Sequence, residues 1–224
     1  MISNAEIKRV KALQSKKFRD ESGLFVVEGE KMVAEALESG LQVEAVYRRD
    51  EIGEQAMARI SSLNSPSPVL AVVRQAAAPD IDEIRSFVRS CGRDMLAIAL
   101  DEIRDPGNLG TIIRLADWYG IDAVFCSAGT VELYNPKVVQ STMGAIFRKK
   151  VIYCDLNNIF DIFASNGLPI YGTFLEGEDI YRSELSSGGL IVMGNEANGI
   201  SPELRSRISA KLFIPPYPGN RKTA

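Results

Sequence analysis

The feature that most constrains the fold is the regular alternation of short apolar runs and helical segments over residues 95–214. Residues 95–100 form a continuous apolar run, as expected for a strand buried on both faces of a sheet. The segment 108–119 follows, with apolar residues at helical spacing and Gly120 as a stop. Strands that alternate with helices in this way predict an α/β fold with a mostly parallel sheet.

The same patterns predict two domains, 1–92 and 93–224, with a Ser- and Pro-rich linker region at 61–80. In the first domain we expect helices at 4–14, 29–39, 51–63 and 80–90 and strands at 24–27, 43–47 and 69–73. In the second we expect strands at 95–100, 123–126, 151–153, 169–174, 190–193 and 211–214. The helices between them are expected at 108–119, 136–144, 156–166 and 202–208, the last two capped by Asp155 and Ser201.

Composition limits the chemistry that the chain can perform. The 224 residues contain no histidine, which excludes His-based triads, His metal sites and the usual general base near neutral pH. Cys91, Cys126 and Cys154 are far apart, which argues against a disulfide framework or a zinc site and fits a reducing cytoplasm. The apolar runs are far shorter than the roughly 20 residues that span a bilayer. We therefore expect a cytoplasmic protein without a metal or a membrane segment.

The charge distribution leaves nucleic-acid binding open. The net charge of −3 argues weakly against a polyanionic partner. However, the cations of the N-terminal segment crowd into residues 8–19. These residues form either a solvated helix face or a basic contact surface.

Two loops at the predicted carboxyl ends of strands, where parallel sheets bind ligands, carry unusual residues. In the loop 101–110, Asp105-Pro106-Gly107 predicts a turn and Asn108 is expected to cap the next helix. Arg114 lies off the apolar stripe of that helix. The loop is either an anion-binding strand-to-helix connection or a well-formed turn followed by a surface arginine.

The second loop, 194–200, follows a predicted buried strand. Gly194 and Gly199 bracket two amides and one carboxylate, which indicates a pocket wall or simply a capped loop. A G-x-G-x-x-G fingerprint is absent from the sequence, so dinucleotide binding is not supported.

These loops carry a family resemblance. Asp-Pro-x-Asn-x-Gly-x-x-x-Arg at 105–114 resembles motif 1 of the SpoU/TrmH methyltransferases of the SPOUT superfamily, and Gly-Asn-Glu-x-x-Gly-Ile at 194–200 resembles motif 2. The segment 137–145 resembles the middle motif, with Thr142 where a serine is commoner. The N-terminal part, including Phe-Val-Val-Glu-Gly at 25–29, resembles the family's substrate-binding domain. The resemblance implies a small L30e-like α/β domain before an α/β SPOUT domain that ends in a trefoil knot.

The resemblance also implies an S-adenosylmethionine-dependent RNA 2′-O-methyltransferase that forms a homodimer. Its substrate is expected to be ribosomal RNA, with transfer RNA left open. Arg114, Asn108 and Glu196 are implied as catalytic residues. Because a guanidinium is a poor base at neutral pH, we expect Arg114 to hold the target phosphate and stabilise the developing alkoxide instead.

The resemblance assigns further residues to the cofactor and to RNA. The cofactor is expected to lie against mostly backbone groups of Thr173, Phe174, Leu175, Gly194, Asn195, Gly199, Ile214, Pro215 and Pro216. RNA contacts are expected from Lys16, Lys17, Arg19 and Thr142.

One departure from the family pattern concerns the third motif. Ile-Pro-x-x-x-Gly at 214–219 supplies its beginning, but the Ser-Leu-Asn element and the knot helix do not follow before Ala224. We therefore expect a chain ending at Ala224 to bind S-adenosylmethionine weakly. Two rival functions stay open: an RNA-binding protein with a disabled catalytic domain, and a nucleotide-binding α/β enzyme such as a dehydrogenase.

Overall fold

The computed structural model of the chain describes residues 2–216. Its helices are α1 (Asn4–Ala12), α2 (Lys16–Ser22), α3 (Glu30–Glu38), α4 (Arg49–Ile52), α5 (Glu54–Ile60), α6 (Ile81–Cys91), α7 (Pro106–Trp118), α8 (Pro136–Thr142), α9 (Leu156–Ser165) and α10 (Pro202–Arg205). Its strands are β1 (Leu24–Glu28), β2 (Val43–Arg48), β3 (Val69–Arg74), β4 (Leu96–Asp101), β5 (Ala123–Cys126), β6 (Lys150–Tyr153), β7 (Ile170–Asp179), β8 (Gly189–Gly194) and β9 (Ala210–Phe213). None of the helices among these residues is long and apolar enough to cross a membrane.

Contacts divide the chain into two compact units that are interleaved in sequence. The first unit comprises the chain up to Ala78 together with Asp105–Tyr119 and Val131–Lys150. The second comprises Pro79–Arg104, Gly120–Thr130 and the chain from Val151 onward. The motif helices α7 and α8 therefore belong to the first unit, and the division near residue 92 stays a prediction about functional domains.

The first unit contains an antiparallel sheet in the order β1-β3-β2. Its core includes Val10, Met57, Ile60, Leu70 and Val72, all buried. In the same unit α7 and α8 pack so closely that a Cβ at Gly110 would lie 2.3 Å from the Cβ of Ser141. Only a glycine allows this approach of the two motif helices.

Two predicted helices differ in the structure, and one helix is present that was not predicted. The helix expected at 51–63 is broken into α4 and α5 at Gly53, whose φ of 88° is a conformation that favours glycine. Helix α2 was not expected, and it ends at Gly23 with a φ of 66°. Helix α10 ends at Arg205 rather than near residue 208, and Ser209 already bonds to Ile170 ahead of β9.

The second unit contains a six-stranded sheet in the order β6-β5-β4-β8-β7-β9. β4 pairs in parallel with β5 and β8, and β7 pairs in parallel with β8 and β9. Apolar side chains of α6 and α9 join those of the strands in one core, which contains Phe125, Phe160 and Phe163. This confirms the predicted α/β class and the mostly parallel sheet. The third motif beyond Pro216, and with it the expected knot, lies outside the described residues.

Candidate active site

A cavity of about 680 Å3 opens in the second unit. Its walls come from β7, from the loop after β8, and from β9 with the residue that follows it. Seven of the predicted cofactor residues line it: Thr173, Phe174, Leu175, Gly194, Asn195, Gly199 and Ile214. Pro215 and Pro216 do not line it. The volume lies within the range of about 300–1,000 Å3 that is usual for small-molecule sites.

The loop after β8 folds back on itself to form one wall of the cavity. The amide of Asn195 donates to the carbonyl of Gly199 at 3.1 Å, and the amide of Gly199 donates back at 2.8 Å. A Cβ at Gly194 would lie 2.2 Å from backbone atoms of Gly199 and Ile200. Gly194 is therefore required by the close approach of two backbone segments.

The side chain of Asn195 is buried and shapes this loop from within. Its Oδ1 accepts the amides of Ala197 at 2.9 Å and Asn198 at 3.1 Å. Its Nδ2 donates to the carbonyl of Glu102 at 2.9 Å. Since both ends of the carboxamide are engaged, Asn195 contributes to the cavity wall as a shaping residue.

Two cations that the sequence did not point to lie over the aromatic ring in the cavity wall. The guanidinium carbon of Arg205 lies 5.4 Å from the centroid of the Phe174 ring, and Nζ of Lys211 lies 5.5 Å from it. Both cations line the cavity. Neither residue belongs to a sequence motif, because the packing of α10 and β9 is what brings them to the ring.

The motif 1 helix differs from its prediction at the cap. Asp105 is the N-cap of α7, and its Oδ1 accepts the amide of Asn108 at 2.8 Å. Asn108 is therefore an exposed residue of the first turn and not the cap, because Pro106 already occupies the first helical position. The apolar stripe of α7 is buried as predicted: Leu109, Ile112, Ile113 and Ala116.

Arg114 lies off this stripe and is exposed to solvent. Within residues 2–216 its guanidinium has no hydrogen bond or ion pair, so its five donors are available to an anion. Glu196, the third predicted catalytic residue, is exposed and lines the cavity of the second unit.

The predicted RNA contacts divide into surface and interior residues. Lys16 and Lys17 are exposed, and each lies near a carboxylate one helical turn away, Asp20 at 2.5 Å and Glu21 at 3.9 Å. Arg19 is only 2% exposed and donates to both carboxylate oxygens of Glu132, at 2.8 and 2.6 Å. We therefore reassign Arg19 from RNA binding to a buried ion pair.

Thr142 also lies in the interior. It is fully buried at the end of α8, where its hydroxyl donates to the carbonyl of Val139 at 2.7 Å. With its donor used inside the helix and its side chain shielded from solvent, Thr142 is not placed to contact RNA.

The described residues 2–216 contain no group of three or more acidic, cysteine or histidine side chains that could hold a metal ion. Cys91, Cys126 and Cys154 form no disulfide. Burial raises the pKa of the Cys154 thiol to about 12 and raises the pKa of Cys126 as well. Neither thiol is therefore ionised near neutral pH, and neither is an activated nucleophile.

Two family models match the chain. The SpoU rRNA Methylase family model matches residues 95–221, and the MRM3-like substrate binding domain model matches residues 4–76. The first match contains the loops that carry motifs 1 and 2.

Known proteins resemble nearly the whole chain. The 23S rRNA (guanosine(2553)-2′-O)-methyltransferase RlmP of Bacillus subtilis is 29% identical, over 96% of this chain and 88% of that protein. A putative RNA methyltransferase of the TrmH family from Porphyromonas gingivalis has a TM-score of 0.86 at 30% identity, covering 100% of this chain and 93% of that one. An AdoMet-bound rRNA methyltransferase from Sinorhizobium meliloti has a TM-score of 0.84 at 27% identity, with coverages of 100% and 90%.

Proposed function

This chain belongs to the SpoU rRNA methylase family, and we propose that it transfers the methyl group of S-adenosylmethionine to a ribose 2′-hydroxyl of ribosomal RNA. The observation that carries the proposal is the cavity of the second unit. Motif 2 forms one wall of this cavity. Seven residues that the family resemblance assigns to the cofactor line the cavity.

The walls of this cavity suit S-adenosylmethionine. Phe174, Leu175 and Ile214 give the cavity apolar surface for a purine, and the loop 194–199 lines the cavity beside them. The methionine part of the cofactor carries a carboxylate and an ammonium group. Arg205 and Lys211 supply positive charge for the first, and Glu176 and Glu196 supply negative charge for the second. When bound, the cofactor supplies a methyl group on a sulfonium that leaves as a neutral thioether.

We assign Arg114 to the RNA. Its exposed guanidinium can bind a phosphate in a bidentate manner and stabilise negative charge on the 2′-oxygen during transfer. The proton of the hydroxyl is then expected to leave through the phosphate or a water molecule, because a guanidinium with a pKa above about 12 cannot accept it at neutral pH. Asn108 and Glu196 are proposed to help position the nucleotide.

The N-terminal segment is proposed to supply RNA affinity. The substrate-binding family model covers residues 4–76, and Lys16 and Lys17 are exposed within it. We place the enzyme in the cytoplasm as a homodimer. Ribosomal RNA is favoured over transfer RNA because RlmP and the Sinorhizobium enzyme are named as rRNA methyltransferases.

The test has two parts. Calorimetry measures the binding of S-adenosylmethionine to the purified protein, and labelled cofactor measures methyl transfer to total RNA from a strain that lacks it. We expect label in one ribosomal RNA nucleotide and none with RNA from a complemented strain. Label in transfer RNA would contradict the substrate. Cofactor binding without transfer to any RNA would favour a disabled RNA-binding protein.

A further inference from the structure

The end of strand β4 holds a buried carboxylate that lies outside the cavity wall. Asp101 is the last residue of β4, pairs in register with Gly194 of β8 and is only 6% exposed. Its Oδ2 accepts the backbone amide of Ser201 at 2.7 Å. Burying a carboxylate costs free energy unless it accepts hydrogen bonds. The bond from the Ser201 amide offsets part of this cost.

The next residue makes a second bond to the same loop. The carbonyl of Glu102 accepts Nδ2 of Asn195 at 2.9 Å. Asn195 and Ser201 are the first and last residues of the segment 195–201. We call these two hydrogen bonds, Asp101 to Ser201 and Glu102 to Asn195, the loop anchor.

The backbone of Glu102 is specialised for this arrangement. Its φ of 58° lies in the left-handed region, which non-glycine residues rarely adopt and which persists only when neighbouring contacts hold it. Its amide donates to Oγ of Ser127 at 2.9 Å, and its carbonyl accepts Asn195. Hydrogen bonds thus hold both the amide and the carbonyl of Glu102, and its carbonyl points at the loop.

We propose that Asp101 is a positioning residue for the cofactor cavity, acting through the loop anchor. The identity of the ligand rests on the proposed function. Asp101 does not line the cavity, but the segment 194–200, which ends beside its hydrogen-bond partner Ser201, lines it along its whole length. Loss of the carboxylate frees the end of this segment, so cofactor affinity falls while the chemistry of a bound cofactor is little changed.

The test compares Asp101→Ala with a matched control at the opposite end of the same strand. Oδ2 of Asp122 accepts the amide of Leu96, the first residue of β4, at 2.9 Å. Asp122→Ala therefore removes the same type of bond from the same strand, far along it from the loop anchor. Asp101→Asn keeps an oxygen acceptor and serves as the rescue variant.

Four measurements are made on the full chain: cofactor binding, steady-state kinetics, hydrogen exchange and thermal melting. In Asp101→Ala we expect the Kd and KM for S-adenosylmethionine to rise about tenfold or more, as loss of a hydrogen bond to a charged group does, with kcat changed about threefold or less. Hydrogen exchange at the Ser201 amide should accelerate in the cofactor-free protein. Asp101→Asn should restore most of the affinity, and Asp122→Ala should lower the melting temperature without changing Kd.

An unchanged Kd in Asp101→Ala, or an equal rise in Asp122→Ala, would overturn the positioning role. Unchanged exchange at Ser201 would overturn the loop anchor itself, and this measurement needs no cofactor. If the wild-type protein binds no S-adenosylmethionine, the proposed function fails, whereas the exchange result still decides whether Asp101 holds the loop.

Discussion

Replacing Arg19 by alanine tests whether a cation in the basic N-terminal segment serves the core or the RNA. The side chain is 2% exposed, and Glu132 binds it through both carboxylate oxygens. Its third donor, Nη1, binds the carbonyl of Leu13 at 2.7 Å. Arg19→Ala thus leaves a carboxylate and a carbonyl of the first unit without their donors.

The expected cost follows from this environment. Breaking a buried ion pair by removing one partner destabilises a protein by about 3–5 kcal/mol. Because the Glu132 side chain retains 19% exposure, water can solvate part of the orphaned carboxylate, so we expect the lower end, about 3 kcal/mol. Arg19→Met with Glu132→Leu removes both charges and should recover most of the loss, since paired apolar replacement of a buried pair is often neutral.

Urea denaturation followed by circular dichroism measures the free energy of unfolding of each variant. Lys17→Ala is the matched surface control, because its 75% exposed side chain lies 3.9 Å from Glu21 and such pairs contribute about 0–1 kcal/mol. An Arg19→Ala protein with wild-type stability but weakened RNA binding would refute the assignment to the core. It would return Arg19 to the RNA-binding surface.

Three further predictions concern the reaction. Gly194→Ala should weaken S-adenosylmethionine binding measured by calorimetry, because its Cβ would lie 2.2 Å from backbone atoms of Gly199 and Ile200; unchanged affinity would show that the cofactor avoids this loop. Arg114→Ala should leave cofactor binding intact but slow single-turnover methyl transfer about 100-fold or more, and a near wild-type rate would remove Arg114 from the mechanism. Methyl transfer should persist in excess chelator, since the chain has no histidine and its cysteines are dispersed; a strict requirement for a divalent ion, after control of RNA folding, would contradict the chemistry.

The central strands of the second unit were predictable because β4 and β8 contain no exposed residue and are almost wholly apolar. The apolar runs at 95–100 and 190–193 correspond to β4 and β8 within one residue at each end. Helix α2 was not predictable from periodicity, since Lys16–Ser22 is almost wholly polar and its one buried side chain is Arg19. A buried arginine has no apolar signature, so its role depends on a partner, Glu132, that is distant in sequence.

The part of the candidate site that is formed by backbone, the loop 194–199, was predictable from the sequence. Gly194 and Gly199 are visible in a sequence because a Cβ at Gly194 would overlap backbone atoms and because the φ of 67° at Gly199 favours glycine. Asp101 was not identified, because a single carboxylate at a strand end is common and its value depends on the amide of Ser201. Arg205 and Lys211 were missed for the same reason, since packing alone brings them to Phe174.

The sequence contains no histidine, and the wall of the candidate site includes backbone-shaping residues such as Gly194 and Asn195. A sulfonium already activates the methyl group, so the protein need not supply a metal or a strong base, and what remains is to fix the distance and direction of attack. Small displacements of a reacting group can cost about 100-fold in rate. We therefore expect the reaction to depend on residues that hold loops in place, with Asp101, Gly194 and Asn195 as the candidates, together with one cation, proposed to be Arg114, that stabilises the charge developing on the oxygen.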